Sequence, residues 1–182
     1  MNPFPPKPFC VNPAKIKAFV LGCDPTAFDK NQNRLEFEYV FDLGKDQRYF
    51  AGVLKNLEWI GLSINDIYVQ NLIADYQENE TGKNNEWKQM ANEYLPLRIE
   101  ELNKIDPIRK IPVFLTAYNL YELLVNEDLK RFNAQHIYNL EIAVPVKPEN
   151  NVLGRPLVPL FRHRSYDLMN WENYVSQIKQ LF

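Results

Sequence analysis

The sequence is poor in the residue types on which several large classes of protein depend. It contains only two cysteines, Cys10 and Cys23, which are too few for a disulfide framework and lack the paired spacing of a metal site. It contains only six glycines, with no dinucleotide-binding glycine motif, no phosphate-binding loop and no nucleophilic-serine elbow. The sequence therefore gives little support to a nucleotide-binding enzyme or a serine hydrolase, and both cysteines are expected to be reduced thiols.

A strong net charge and a long apolar run are also missing. The 21 basic and 23 acidic side chains leave a net charge of −2 and a pI near 5.8, so any contact with DNA must be local. No run approaches the roughly 18 apolar residues of a membrane-spanning helix, and the prolines within residues 1–8 do not fit a secretory signal. We therefore expect a soluble, cytoplasmic monomer without a membrane partner.

Hydrophobic content and periodicity predict one domain. Hydrophobic residues make up 46% of the chain, enough for a single core, which we place in residues 16–182 after a proline-rich arm of residues 1–15. Apolar runs predict strands at residues 16–21, 67–72, 111–115 and 158–161. Helical spacing predicts helices at residues 49–60, 85–102, 119–129 and 171–182, the second of them bent or divided by Pro96. Residues 35–43 fit an edge strand or an extended loop equally well, and residues 139–146 are a further extended candidate.

This alternation of strands and helices predicts an α/β fold. The expected architecture is a three-layer sandwich, with a central, mainly parallel sheet of four to five strands and helices on both faces. In such folds ligands bind beyond the carboxyl ends of the strands. Polar residues follow three of the predicted strands, at residues 22–25, at residues 70–71 and at residues 161–166. We expect these three segments to converge at one rim of the sheet.

Three side chains in these segments are candidates for chemistry, and each also has a structural interpretation. Asp24 fits a capped turn, and Asn71 fits an amide that ties down a neighbouring loop. His163 is more unusual, because it is one of only two histidines and lies between Arg162 and Arg164, which would disfavour its charged form. The other histidine, His136, is typical of a surface residue.

In their order along the chain, these motifs resemble the uracil-DNA glycosylase superfamily. Gly22-Cys23-Asp24-Pro25-Thr26 matches the Gly, Asp and Pro of that family's first motif, and Ile67-Tyr68-Val69-Gln70-Asn71 resembles its strand ending in Asn. His163-Arg164-Ser165 keeps the His and Ser of its His-Pro-Ser motif but replaces the proline. The resemblance implies that Asp24 positions a water, that Asn71 reads the edge of a flipped base and that His163 stabilises the departing base, with no metal or cofactor.

The departures from the family's pattern concern specificity. Thr26 stands where the best-known branch has a tyrosine that excludes thymine, so Thr26 and the neighbouring Cys23 are expected beside the base. The family stacks an aromatic ring on the base, and Phe41 is favoured for that role, with Phe28 and Phe37 as alternatives. Contacts with DNA are expected from Arg162, Arg164 and Ser165, and Arg155 is also expected to line the approach.

Two functional hypotheses follow from the resemblance. The first is a DNA glycosylase-like hydrolase, which cuts the N-glycosidic bond of a flipped uracil or another damaged base in single- or double-stranded DNA. The alternative is a non-catalytic member of the same fold that binds nucleic acid, a base or a protein partner, which the acidic pI and the altered motifs favour. A third interpretation, an unrelated α/β enzyme, has little support in the sequence.

Overall fold

The computed structural model describes residues 3–138, 145–163 and 165–182 and contains a five-stranded sheet. The strands are β1 (Phe9–Cys10), β2 (Ala18–Gly22), β3 (Ile67–Asn71), β4 (Val113–Leu115) and β5 (Leu157–Pro159). The α-helices are α1 (Ala51–Trp59), α2 (Trp87–Ile105), α3 (Tyr118–Leu124), α4 (Ala134–Tyr138) and α5 (Glu172–Lys179). The predicted α/β class and mainly parallel sheet are confirmed.

The strand order is β1-β3-β2-β4-β5, and the four strands β2 to β5 run in one direction. β2 pairs in parallel with β3 and β4, β4 pairs in parallel with β5, and only the two-residue β1 runs antiparallel, against β3. The register places Gly22 beside Asn71 and Leu115 beside both Leu21 and Pro159. The four parallel strands therefore end along one edge, which we call the carboxyl rim.

The centre of the sheet is buried because its strands are almost continuously apolar. All five residues of β2 and all three of both β4 and β5 are buried, as expected for parallel strands covered on their faces. The 3₁₀ turn Leu168–Asn170 contacts both α1 and α5, and α3 contacts β4. This rigid apolar centre fixes the positions from which the polar residues of the carboxyl rim extend.

Three parts of the chain differ from the sequence-based expectations or extend them. Residues 35–43 form an extended loop rather than a strand, with one bridge from Tyr39 to Lys7 and a 3₁₀ turn at Val40–Asp42. The arm contributes the edge strand β1, which is too short to give a hydrophobic pattern. Of the extended candidate at residues 139–146, residues 139–144 lie outside the described residues, and Val146 bridges to Leu157.

Pro96, which was expected to bend or divide α2, does not divide it. The helix continues from Trp87 to Ile105 with Pro96 inside it. Pro96 removes the hydrogen bond that the carbonyl of Asn92 would accept, but both residues are exposed, so water can satisfy that carbonyl.

Within the described part of the chain, no helix is long and apolar enough to cross a membrane.

Arg155 does not line an approach to the carboxyl rim, and this expectation was wrong. Its side chain is fully buried at the opposite end of the sheet, where Nη1 donates to Oδ2 of Asp106 over 3.1 Å and Nη2 donates to Oδ1 of Asn103 over 2.9 Å. Its guanidinium also lies 5.2 Å from the ring centroid of Phe19. Arg155 therefore joins the end of α2 to the segments that precede β4 and β5.

Candidate functional site at the carboxyl rim

The three polar segments converge, as the sequence predicts, because backbone hydrogen bonds continue past the strand ends. The N–H of Leu72 donates to the carbonyl of Gly22 over 2.7 Å, and that of Ile73 donates to the carbonyl of Cys23 over 2.9 Å. On the other side of β2, the N–H of Arg162 donates to the carbonyl of Thr116 over 2.9 Å. The loops that carry Asp24, Asn71 and His163 therefore leave the sheet side by side.

Asp24 is half-buried, and both of its carboxylate oxygens are engaged. Oδ1 accepts the backbone N–H of Thr26 over 2.9 Å, which is the capped turn expected from an Asp-Pro sequence. Oδ2 accepts the hydroxyl of Thr81, which belongs to a 3₁₀ turn far along the chain. Sequence reasoning missed Thr81, because nothing in the local pattern around it points to the rim. Each carboxylate oxygen has two lone pairs, so Asp24 keeps acceptor capacity for a water.

Cys23 and Thr26, on either side of the Asp24-Pro25 turn, have different surroundings. Cys23 is buried, and that burial, with the nearby carboxylate of Asp24, raises the pKa of its thiol, so the thiol is neutral at physiological pH. The hydroxyl of Thr26 accepts the backbone N–H of Gln77 over 2.7 Å. Thr26 thus holds the loop that follows β3 against the first motif.

Asn71 is 2% exposed, and its side-chain oxygen Oδ1 is buried without a hydrogen-bond partner among the residues that the structure describes. A Cβ atom added to Gly22 would lie 2.2 Å from this oxygen and 2.7 Å from Cζ of Phe41. Glycine is therefore needed at position 22 for the amide and the ring to approach the backbone. Buried polar atoms in proteins nearly always have a partner, so this acceptor beside an aromatic ring is a candidate contact for a ligand donor.

The end of β3 is held by a polar network that reaches into α2. Oε1 of Gln70 accepts the backbone N–H of Asn71 over 2.9 Å, and Nε2 of Gln70 donates to Glu101 over 3.4 Å. Glu101 also accepts from the hydroxyl of Tyr68 and pairs with the buried Arg98. This network fixes the backbone of Asn71, so its side chain is presented from a rigid strand end.

Phe41 is the phenylalanine that meets Gly22 and Asn71. Its backbone lies in the left-handed region, with φ of 59° and ψ of 22°, and the following Asp42 also has a positive φ of 57°. Such a conformation is costly for a residue with a side chain, and it directs the ring towards the rim. Of the alternatives, Phe37 packs edge-on against Tyr49, and Phe28 lies beneath the guanidinium of Arg34.

The Phe41 ring also contacts a second aromatic ring and a guanidinium. The ring centroid of Phe50 lies 5.1 Å away at a tilt of 30°, and the guanidinium of Arg162 lies over the ring, also 5.1 Å from its centroid. Nη1 of Arg162 additionally donates to the carbonyl of Tyr49 over 3.4 Å. Arg162, the residue expected to contact DNA, thus has its guanidinium over the aromatic ring.

His163 and Ser165 are exposed and bonded to each other. Nδ1 of His163 lies 2.7 Å from Oγ of Ser165, and the backbone N–H of Ser165 donates to the same Nδ1 over 3.3 Å. Because a backbone N–H can only donate, Nδ1 is an acceptor, and the neutral ring carries its proton on Nε2. Arg164 lies outside the described residues. His163 and Arg162 both line a cavity of about 290 Å³ at the rim.

The site is therefore a cluster of Cys23, Asp24, Phe41, Asn71 and Arg162, with His163 and Ser165 on the adjoining loop. Among residues 3–138, 145–163 and 165–182, no three His, Cys, Asp or Glu side chains are grouped so that they could hold a metal ion.

A comparison of the chain with models of known protein families found no match, and a search of curated proteins found none either.

Proposed function

We propose that this protein hydrolyses the N-glycosidic bond of a flipped uracil or another damaged base in DNA. The observation that carries the proposal is the buried, unpartnered Oδ1 of Asn71, which lies beside the ring of Phe41 at the carboxyl rim. A base fits these two groups, because its N–H groups can donate to the amide oxygen of Asn71 and its flat face can stack on the ring of Phe41. The resemblance in motif order supports the same function.

Base binding in this proposal requires a movement of Arg162. Its guanidinium lies over Phe41, where the base is expected to stack. The residue as a whole is exposed, and its hydrogen bond to the carbonyl of Tyr49 is long, at 3.4 Å, so the movement breaks a weak hydrogen bond and the contact with the Phe41 ring. Once moved, the guanidinium remains within reach of the base and of a phosphate.

The hydrolytic step is assigned to Asp24 and His163. As the bond between the sugar carbon C1′ and the base nitrogen breaks, its electron pair leaves with the base, and positive charge grows on the sugar. Asp24 stabilises that charge and takes a proton from the attacking water, whose oxygen bonds to C1′. The Nε2–H of His163 donates to the oxygen of the departing base, which leaves as an anion and is protonated by solvent.

The test is release of free base from labelled oligonucleotides that carry uracil, thymine mismatches, hypoxanthine or alkylated bases. Asp24→Asn and His163→Ala are compared with Asp29→Asn, in the loop after the first motif, and His136→Ala, at the other histidine. We expect the wild type and both controls to release the base. Asp24→Asn and His163→Ala should each release it about 10²-fold more slowly, or more slowly still. Undiminished release by His163→Ala would remove that residue from the mechanism.

The alternative function is base or nucleic-acid binding without cleavage. It is favoured by the two hydrogen bonds that already engage Asp24 and by the guanidinium that covers Phe41. No release from any substrate by a folded wild-type protein, together with salt-dependent binding of the same oligonucleotides, would establish this function, because phosphate contacts weaken steeply as salt rises.

A further inference from the structure

The cavity beside the candidate site is lined mainly by basic and aromatic side chains. It has a volume of about 290 Å³ and opens between the 3₁₀ turn Gln47–Tyr49, the first turns of α1 and the loop after β5. Its cationic lining comes from Arg48, Lys55 and Arg162, and among the described residues that line it Asp167 supplies the one carboxylate. Apart from Arg162, none of these residues follows from the sequence motifs, because they lie on different elements.

The cations of this cavity are available to a ligand. Lys55 pairs with Asp167 over 2.5 Å and Arg48 pairs with Asp46 over 2.5 Å, but the side chains of Lys55 and Arg48 are 55% and 87% exposed. Ion pairs so exposed to water contribute little and exchange readily. An anion with several oxygens, such as a phosphate, can therefore enter the cavity and pair with both Lys55 and Arg48.

The backbone of α1 adds to the positive field of this cavity. Phe50, at the N-cap of α1, gives the first turn no side-chain acceptor, and Gly52 of that turn lines the cavity. No atom lies within 4 Å of the position that a Cβ of Gly52 would occupy, so the first turn is open to a ligand. The helix end alone would not define a site, but it reinforces the three cations.

We propose that this cavity binds a phosphate group of the nucleic-acid strand beside the flipped nucleotide. Arg162 connects the two sites, because it lines the cavity and also lies over Phe41. A nucleotide whose base replaces Arg162 on that ring thus has a cationic cavity beside it for its backbone. The inference rests on the proposed function and deepens it, since it assigns Arg48 and Lys55, which lie outside the sequence motifs, to the backbone of the strand.

The experiment measures how salt weakens binding of a short fluorescein-labelled single-stranded oligonucleotide that contains no damaged base. The double variant Arg48→Gln/Lys55→Gln is compared with Lys17→Gln/Lys104→Gln. The control pair removes the same charge from two lysines that also pair with surface carboxylates, Asp66 and Glu100, but lie at the other end of the sheet. We expect the slope of log K against log salt to fall by about 0.7 in the first variant, as for loss of one phosphate contact, and to stay unchanged in the control.

Two results would overturn the inference. Equal slopes in both double variants would show that the cavity takes no phosphate from the strand. If inorganic phosphate, at constant ionic strength, raised the melting temperature of the wild type but not of Arg48→Gln/Lys55→Gln while the DNA slopes stayed equal, the cavity would be a site for free phosphate. Because this binding assay involves no base release, its outcome is independent of the glycosylase assay.

Discussion

The two ends of the sheet each contain a buried polar group, and the two groups differ in how completely they are partnered. At the amino end, the guanidinium of Arg155 donates to Asp106 and Asn103, and Asp106 also accepts the N–H of Ile111 over 2.8 Å. At the carboxyl rim, Oδ1 of Asn71 has no partner, and the neighbouring Phe41 has a strained backbone. The first arrangement is typical of structural polar networks, and the second is typical of binding sites.

The comparison shows why burial alone does not identify a functional residue. Arg155 is 0% exposed and Asn71 is 2% exposed, so burial does not distinguish them. The two groups differ in how much free energy a ligand can gain by bonding them. A satisfied ion pair gains nothing from a ligand, whereas an unpartnered acceptor gains a hydrogen bond. If this reasoning is right, substitutions at the amino end change stability most, and substitutions at the rim change binding most.

The largest expected effect on stability is that of Arg155→Ala. It leaves the carboxylate of Asp106 buried without its cation, and we expect the free energy of unfolding to fall by about 3–5 kcal/mol in urea denaturation. The control is Arg48→Ala, which removes an arginine from an exposed pair with Asp46 and should leave the free energy of unfolding nearly unchanged. Equal losses in the two variants would contradict the structural role of Arg155.

Gly22→Ala is expected to destabilise the protein by about 1–3 kcal/mol, because its Cβ would overlap Oδ1 of Asn71 and Cζ of Phe41. Gly52→Ala is the matched substitution in open space, and it should stabilise α1 by about 0.5–1 kcal/mol. Thermal and urea denaturation of both variants measure the difference. A neutral Gly22→Ala would mean that Phe41 and Asn71 do not pack against the backbone as described.

Asn71→Ala should change stability little, within about 1 kcal/mol, because the lost packing is offset by removal of an unpartnered buried oxygen. Asn56, 1% exposed, is the control, since its amide donates to the carbonyl of Tyr166 and accepts the N–H of Leu168, each over 2.9 Å. Asn56→Ala should therefore cost about 1–3 kcal/mol for each partner left unpaired. A larger loss for Asn71→Ala than for Asn56→Ala in urea denaturation would place Asn71 among the structural amides.

The smallest expected effects concern two aspartates at the two ends. Lys55 lowers the pKa of Asp167 at the rim, and Ser63 lowers the pKa of Asp66 at the amino end. Both carboxylates therefore contribute stability above their unfolded-state pKa, near 4, and that stability is lost as pH falls through the folded-state value. In carboxyl NMR titrations, high salt should raise the pKa of Asp167 more than that of Asp66. The main cause of the lowered pKa is an ion pair with Lys55 for Asp167 and a hydroxyl hydrogen bond from Ser63 for Asp66, to which the pair with Lys17 adds less, and salt screens an ion pair more than a hydroxyl hydrogen bond.

Much of the fold could be predicted from the sequence, because long periodic patterns are determined by burial. The strands β2 to β5 and the helices α1, α2, α3 and α5 lie within or beside their predicted ranges. The two-residue β1 and the five-residue α4 are too short to give a pattern. Residues 35–43 alternate in hydrophobicity as a strand does, but the positive φ angles of Phe41 and Asp42 leave no strand there.

The site could be predicted only in part, because strand ends are visible in a sequence and long-range partners are not. The convergence of Asp24, Asn71 and the loop with His163 follows from parallel strands ending at one rim. The hydrogen bond from Thr81 to Asp24 joins residues 57 positions apart and has no local signal. The roles of the site residues stay predictions until base release is measured.

The most direct test is whether a base bonds the side-chain amide of Asn71. We would record the side-chain amide NMR signals of Asn71 and Asn56 while adding a short single-stranded oligonucleotide that carries 2′-fluorodeoxyuridine, whose fluorine slows cleavage. The same oligonucleotide with an abasic analogue at that position serves as the control. We predict a saturable shift of the Asn71 signal with the base-containing oligonucleotide alone and an unmoved Asn56 signal. An Asn71 signal that stays unchanged, or that moves equally with the abasic oligonucleotide, would contradict base recognition at the carboxyl rim.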